Sequence, residues 1–231
     1  MSLAGLGAVV IWHDIAPEGR QAFYAWHGRE HMPERTGIPG FLRGRRYVAE
    51  AGSGPEFFNL YETVSLGTLT GAEYRLRLDN PSPWTQAVVR HFRNVSRSLC
   101  AVAASFGEGQ GGLVATLRYA VDDAMADRHR QRLAHDILPA LAAEEGMAGC
   151  HLLIADAAAS AVDTVERNLR AEANLIPRWI VLIESWGDAA DFAEQCARFA
   201  ASEAFAAAVT PPALGIYRLQ NSRSIFPWAT G

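Results

Sequence analysis

The sequence predicts an α+β protein built from two consecutive βαββαβ units, and three observations carry that prediction. Short runs rich in β-branched and aromatic residues alternate with longer amphipathic stretches, in the order strand, helix, strand, strand, helix, strand. A Gly-rich stretch, Gly107 to Gly112, interrupts this order, and the same order then begins again. The two halves also match at three points in the same succession. Ile38-Pro39-Gly40-Phe41 matches Met147-Ala148-Gly149-Cys150, Leu60-Tyr61-Glu62-Thr63 matches Leu182-Ile183-Glu184-Ser185, and the segment from Ser82 to Val88 matches that from Glu203 to Val209.

In the first half, Gly7 to Ile15 is a buried strand ending in Trp12-His13-Asp14, and Pro17-Glu18-Gly19 breaks it. An amphipathic helix follows from about Arg20 to the Pro33 region, where proline bars it from continuing far. Gly37, Pro39 and Gly40 turn the chain into a strand over Phe41 to Glu50, and Gly52-Ser53-Gly54-Pro55 is a strong turn signal. Glu56 to Val64 is the third strand, with Phe58, Leu60 and Glu62 on one face and Phe57, Asn59, Tyr61 and Thr63 on the other. So short a turn makes these two strands an antiparallel hairpin. Thr68 to Leu78 and Trp84 to Phe92 are helical, and a strand around Ser98 to Ala104 completes the unit. This is the split βαβ order of ferredoxin-like domains.

The second half repeats the order: a strand over Leu113 to Val121, a helix over Asp127 to Glu144, and a strand over Gly149 to Ala155. Ala157 to Asn174 is a longer connection, partly helical. Trp179 to Trp186 is an apolar strand, and Asp188 to Phe199 a helix whose acidic start suits the helix dipole. Leu214 to Leu219 forms the last strand. The units are expected over residues 1–106 and 113–231, joined by the linker 107–112, with the second unit serving mainly as a structural partner.

Composition bounds the function. The 231 residues are 49% hydrophobic and 20% charged, with net charge −4 and a pI near 6.0, so no basic field advertises nucleic acid. Arg43, Arg45 and Arg46 form the one compact basic cluster, and a strand splits them between two faces. Cys100, Cys150 and Cys196 are widely spaced in apolar surroundings, which reads as small fillers rather than a disulfide framework. No apolar run is long enough to span a bilayer, and the N-terminal residues lack the pattern of a signal peptide. The expectation is a cytoplasmic protein that engages neither nucleic acid nor membrane.

With its His-bearing helix, the proline just after it and the Pro39-Gly40 step before the second strand, the chain resembles the dimeric α/β-barrel superfamily, most closely its EthD-like branch. That resemblance implies two ferredoxin-like units whose antiparallel sheets pack into a barrel with helices outside. Here both units lie in one chain, giving a monomeric pseudo-dimer or a homodimer of such chains. It also implies a cofactor-independent enzyme of the isomerase, cyclase or monooxygenase kind, acting on a small aromatic, polyketide-like or lactone substrate. Haem binding occurs in other branches.

The chemistry-bearing stretch is Tyr24 to Phe41. Helical spacing puts Tyr24, His27 and His31 on one face. The string His27-Gly28-Arg29-Glu30-His31 matches the spacing of a metalloprotease motif, but Gly28 within and Pro33 just beyond make a poor platform, and no metal is expected. General acid–base catalysis by His31 and His27 is a second reading, because imidazole titrates near neutrality. His13, Tyr24, Tyr47 and Tyr61 would supply polar groups, and Arg45 would hold an anionic group. A structural role is the third. Setting Pro33 against Pro139 places Leu133 and Ile137 opposite His27 and His31, so the polarity of the first face is not something the fold demands. Glu62 and Glu184 recur at matching strand positions and read as structural carboxylates, paired with arginines such as Arg46. Trp84 and Phe205 are expected to anchor the core. The competing view is a non-catalytic module that binds a small molecule or assembles with other proteins.

Overall fold

The computed structural model describes residues 2–50, 54–170 and 173–225. The Gly52-Ser53 part of the predicted turn, and positions 171 and 172 of the long connection, lie outside the described residues.

The first half runs β1 (Gly7–Ile15), α1 (Arg20–Trp26), a π-helical turn (His27–His31), α2 (Met32–Thr36), β2 (Phe41–Ala49), β3 (Phe57–Thr63), α3 (Leu66–Thr70), α4 (Ala72–Asp79), α5 (Pro83–Val89) and β4 (Phe92–Phe106). The second runs β5 (Leu113–Tyr119), α6 (Ala126–Arg132), a π-helical turn (Leu133–Ile137), α7 (Leu138–Ala142), β6 (Met147–Ala155), α8 (Ala157–Ala161), α9 (Val165–Asn168), β7 (Trp179–Ser185), α10 (Ala189–Ala200) and β8 (Ala213–Ser224). Among the described residues eight strands close into one antiparallel barrel in the order β1-β3-β2-β8-β5-β7-β6-β4. The halves are stitched where β2 pairs with β8 and β4 with β6. Closure leaves no free sheet edge.

Strand alternation sets the two cores. Trp12, Tyr47, Phe58, Leu60, Leu153 and Tyr217 point into the barrel. Phe57 and Tyr61, one residue out of phase on β3, face the covering helices instead. Every residue of β3 and β7 is therefore buried.

Pro33 does not end the first helix. The Met32 N–H reaches back five residues to the His27 carbonyl, and this wider turn precedes a proline that has no N–H to give. The chain stays helical to Thr36. Leu133 to Ile137 does the same before Pro139, with the Leu138 N–H on the Leu133 carbonyl. Since the π-turn precedes a proline in both halves, proline rather than function accounts for the wide turn.

Three further expectations change. The counterpart of Gly40 (φ 89°) is Gly146 (φ 86°), three residues before Gly149. Each precedes a strand whose register slips once at its start, at Phe41/Arg43 and at Met147/Gly149. Trp84 is not a core anchor: it is exposed, whereas Phe205 is buried. Its neighbour Thr85 turns inward instead, accepting a hydrogen bond from Trp26 Nε1 at 3.1 Å. The carboxylates Glu62 and Glu184 pair with Arg43 and Arg45, not Arg46.

The Glu62–Glu184 network plugs one end of the barrel. Arg45 donates from Nη1 and Nη2 to Glu184 at 2.8 and 3.0 Å and from Nε to Glu62 at 3.0 Å. Arg43 forks onto Glu62 at 2.8 and 2.6 Å. Burial by itself raises the Glu184 carboxyl, but Arg45 and His151 outweigh it and hold its pKa at about 2. Two guanidiniums balance two carboxylates, which is how four charges sit dry. Among the described residues no helix is long and apolar enough to cross a membrane.

Candidate functional site

α2 packs across the outer face of β2 and β8, and the helical spacing of His27, His31 and Arg35 turns all three toward a pocket whose floor is β1 and β3. Gly44 of β2 lets this approach happen, since a Cβ there would sit 2.9 Å from the Tyr61 ring and 3.2 Å from Met32 Cγ. Between helix and sheet lies a buried pocket walled by His27, His31, Arg35, Asn59, Tyr61, Arg97, Glu166 and Arg170, with Trp26, Phe41, Tyr74 and Phe92 as apolar lining. The free space is about 30 Å³ for water centres, room for about two water molecules.

The pocket is lined by polar groups that are incompletely paired within the protein. Tyr61 Oη lies 3.2 Å from His27 Nε2, and the His31 ring lies against Trp26 at 4.3 Å between centroids. His27 Nδ1, His31 Nδ1, Asn59 Oδ1 and Arg170 Nε are all buried without a hydrogen-bond partner. Such unpaired groups each cost about 1–3 kcal/mol. Burial pushes both histidines well below the ordinary imidazole range. Nearby guanidiniums, Arg46 for His27 and Arg35 for His31, push the same way. Both rings are therefore neutral at pH 7. Burial also raises the Tyr61 phenol, which stays protonated.

The walls carry excess positive charge. Arg35 pairs with Glu166 and Glu34, and Arg170 approaches Glu166 at 3.5 Å. Arg97 donates from Nη2 to the Tyr74 hydroxyl at 2.9 Å. Loss of water lowers Arg170 to about 10, with Glu166 only partly restoring it. Three guanidiniums thus face one buried carboxylate.

The structure brings together His27, His31 and Tyr61. His13 stands one layer behind: its Nε2 lies 2.9 Å from Asn59 Nδ2 and its ring stacks on Phe92 at 4.3 Å. It thereby holds Asn59 with Oδ1 unpaired. Tyr24 is outside the pocket, half-buried under the Arg46 guanidinium at 5.0 Å. Arg45 and Tyr47 are on the wrong side of the sheet, because odd-numbered β2 positions here point into the barrel. Arg45 is committed to Glu62 and Glu184 and holds no ligand in this pocket.

Sequence reasoning missed Arg35, Asn59, Arg97, Glu166 and Arg170. Two of these carry a local signal: Arg35 is four residues beyond His31 on one helical face, and Asn59 shares the Tyr61 face of β3. Glu166 and Arg170 carry none, since they arrive from the second half on the connection after β6. In the second half the place of the histidines is taken by Leu133 and Ile137, packed with Leu138, Trp179 and Phe205 in a continuous apolar core.

Among the described residues no group of three or more His, Cys, Asp or Glu is arranged to hold a metal ion.

No family model and no curated protein sequence matches the chain. Solved structures do. An anthrone oxidase-like protein superposes with a TM-score of 0.65 at 11% identity, covering 95% of this chain and 92% of that one. A candidate monooxygenase from Lactobacillus acidophilus gives 0.55 at 12%, covering 95% and 96%. A point variant of chlorite dismutase from Candidatus Nitrospira defluvii gives 0.50 at 10%, covering 94% and 92%. At such identities the likeness is one of fold. The chain has the α+β fold of the dimeric α/β-barrel type, with its eight-stranded antiparallel barrel closed within one chain.

Proposed function

We propose that the pocket beneath the His27–His31 turn is the active site of a cofactor-independent enzyme that removes a proton from a small, acidic organic substrate. The substrate class is a phenol, an enol or an activated lactone. The observation that carries this reading is the convergence of four unpaired buried polar atoms, two of them imidazole nitrogens, on one cavity walled by guanidiniums. A neutral histidine can accept a proton, and the same positive field favours the oxyanion left behind. His31 is the base, because His27 is already engaged at Nε2 by the Tyr61 hydroxyl, whereas His31 Nδ1 has no partner among the described residues. Tyr61 and His27 orient the substrate by hydrogen bonding, and Arg97 and Arg170 face its developing charge. The proton moves from the substrate O–H or C–H to the His31 ring, and the bonding pair stays on the substrate as a delocalised anion. Anthrones are carbon acids of this kind, which makes the anthrone oxidase-like neighbour a consistent relative in fold.

The same reading takes the chain as a tandem duplication of a ferredoxin-like unit, with units 1–106 and 113–231 and an EthD-like ancestry. In its favour stand the repeated strand order, the matched π-turns and prolines, the paired Gly40 and Gly146, and the matched Glu62 and Glu184. One copy kept a polar pocket and the other filled it.

The test is deuterium exchange. A panel of phenols, 1,3-dicarbonyl compounds and lactones is incubated with the protein in D2O and followed by NMR. Enzyme-dependent exchange at an acidic C–H, lost in His31→Ala at unchanged Tm, is the expected result. Exchange that survives His31→Ala removes His31 as the base. Saturable binding without any exchange favours a ligand-binding module instead.

A further inference from the structure

The barrel end opposite the Glu62–Glu184 plug is built differently. Arg118 of β5 stands there, half-buried, with its guanidinium 4.9 Å over the Trp12 ring and Nη1 3.5 Å from Ser96 Oγ. Among the described residues it forms no ion pair, and its Nε is buried without a partner. The other interior arginines among the described residues, Arg43 and Arg45, are matched by carboxylates. Two tyrosine hydroxyls, of Tyr217 and Tyr47, are also buried and unpartnered inside the barrel. A Cβ on Gly54 would lie 3.1 Å from Tyr217 Oη and 4.0 Å from Arg118 Nη2, so hydroxyl and guanidinium both border the space beside Gly54 at this rim. The acid on this side, Asp14, is already engaged by the Glu56 N–H and by Asn94 Nδ2, each at 2.7 Å.

Above Arg118 lies an open basin of about 590 Å³, walled by Tyr119, Ala120, Leu175, Ile176, Pro177 and Ala213. A second hollow of about 300 Å³ adjoins it through Ser96, Arg118 and Leu175. Leu175 is 70% exposed. The basin also carries Arg178, which faces Asp123 at 3.5 Å, so among the described residues Arg118 is its guanidinium without an acidic partner. A mostly apolar bowl of this volume suits a drug-sized molecule that is apolar except for one anionic group. The planar fork of arginine selects a carboxylate, and a neighbouring tyrosine hydroxyl can donate to it.

We infer that the Arg118 end of the barrel is a second binding site, separate from the histidine pocket, for the carboxylate of a predominantly apolar small molecule. The carboxylate meets Arg118 and the Tyr217 hydroxyl, and the hydrocarbon lies along Leu175, Ile176 and Pro177.

Isothermal titration with 4-phenylbutyrate, and with straight-chain carboxylates from hexanoate to dodecanoate, tests this. One equivalent of at least one acid is expected to bind, with its neutral amide at least about tenfold weaker. Arg118→Gln should weaken the acid by a similar factor. Leu175→Asp, a change at an exposed position that leaves the fold intact, should also abolish it by placing a negative charge on the wall. Arg170→Gln should leave it unchanged. No binding by the wild-type protein, equal binding of acid and amide, or a loss in Arg170→Gln rather than Arg118→Gln overturns the assignment.

Discussion

His13, His27 and His31 carry an energetic cost that depends on pH. Each is buried and uncharged in the folded protein, while in the unfolded chain each titrates near the ordinary value of 6.5. For His13, desolvation lowers the folded value to about 3, with the Asp14 carbonyl opposing weakly. As pH falls below 6.5 the unfolded state gains protons that the folded state refuses, so stability drops with falling pH. From His13 alone the loss between pH 7 and pH 5 is about 2 kcal/mol, and His27 and His31 act in the same direction. Denaturant unfolding at the two pH values measures this, and His13→Phe should show a correspondingly smaller drop. A pH-independent midpoint would mean that these rings are hydrated. Because His31 stays neutral in the fold, the acid limb of any kcat/KM profile should lie below pH 6.5. On the proposed reading, His31→Ala is expected to lose activity, while His27→Ala, which removes the Tyr61 contact, is expected to weaken substrate binding, read as a raised KM.

At the level of elements, the pocket depends on a wall that comes from elsewhere. Glu166 of α9 meets Arg35 of α2 with both side chains nearly dry, and among the described residues no other ion pair ties that connection to the helix. Glu166→Gln leaves Arg35 with a weaker partner in a buried setting, a loss of about 3–5 kcal/mol when a buried pair is broken outright. The expected outcome is faster amide exchange over residues 165–170, with protection in β1, β3 and β4 unchanged. Since the pocket has room for about two waters, the proposed substrate needs this wall to move, and its uptake should quicken in the variant. The helix above allows a second check. A Cβ on Gly28 would find only Asn221 Nδ2, at 4.0 Å. Gly28→Ala should therefore stabilise the protein by about 0.5–1 kcal/mol, read as a rise in Tm.

For the whole molecule, the Arg45 fork is the most consequential polar contact, because it ties β2 of the first half to β7 of the second inside the barrel. Residues 139 positions apart are held at 2.8 and 3.0 Å. Arg45→Met strands Glu184 and Glu62 with too little positive charge and should cost about 3–5 kcal/mol in equilibrium unfolding. Adding Glu184→Leu should recover part of the loss, since a packed apolar pair replaces a half-satisfied one. If the single change proves neutral, water rather than Arg45 balances the plug.

The local patterns of the sequence determined a good deal. Period-two alternation located the strands and the two faces of β3. The 3.6-residue period put His27 and His31 on one side of a helix, and comparison of the halves showed which polarity the fold did not require. Asn59 and Arg35 were within reach of the same two periods. Beyond that the sequence is silent for physical reasons. Alternation says that Arg45 and Tyr47 share a face, but not that this face is the barrel interior. Only closure of the eight strands puts them inside and leaves Tyr61 under the helix. A proline forbids an ordinary α-helical hydrogen bond, but only the packed helix shows that a wider turn absorbs it. Glu166 and Arg170 reach His31 because the barrel folds the second half's connection onto the first half's helix, and no periodicity in a chain records a contact of that range.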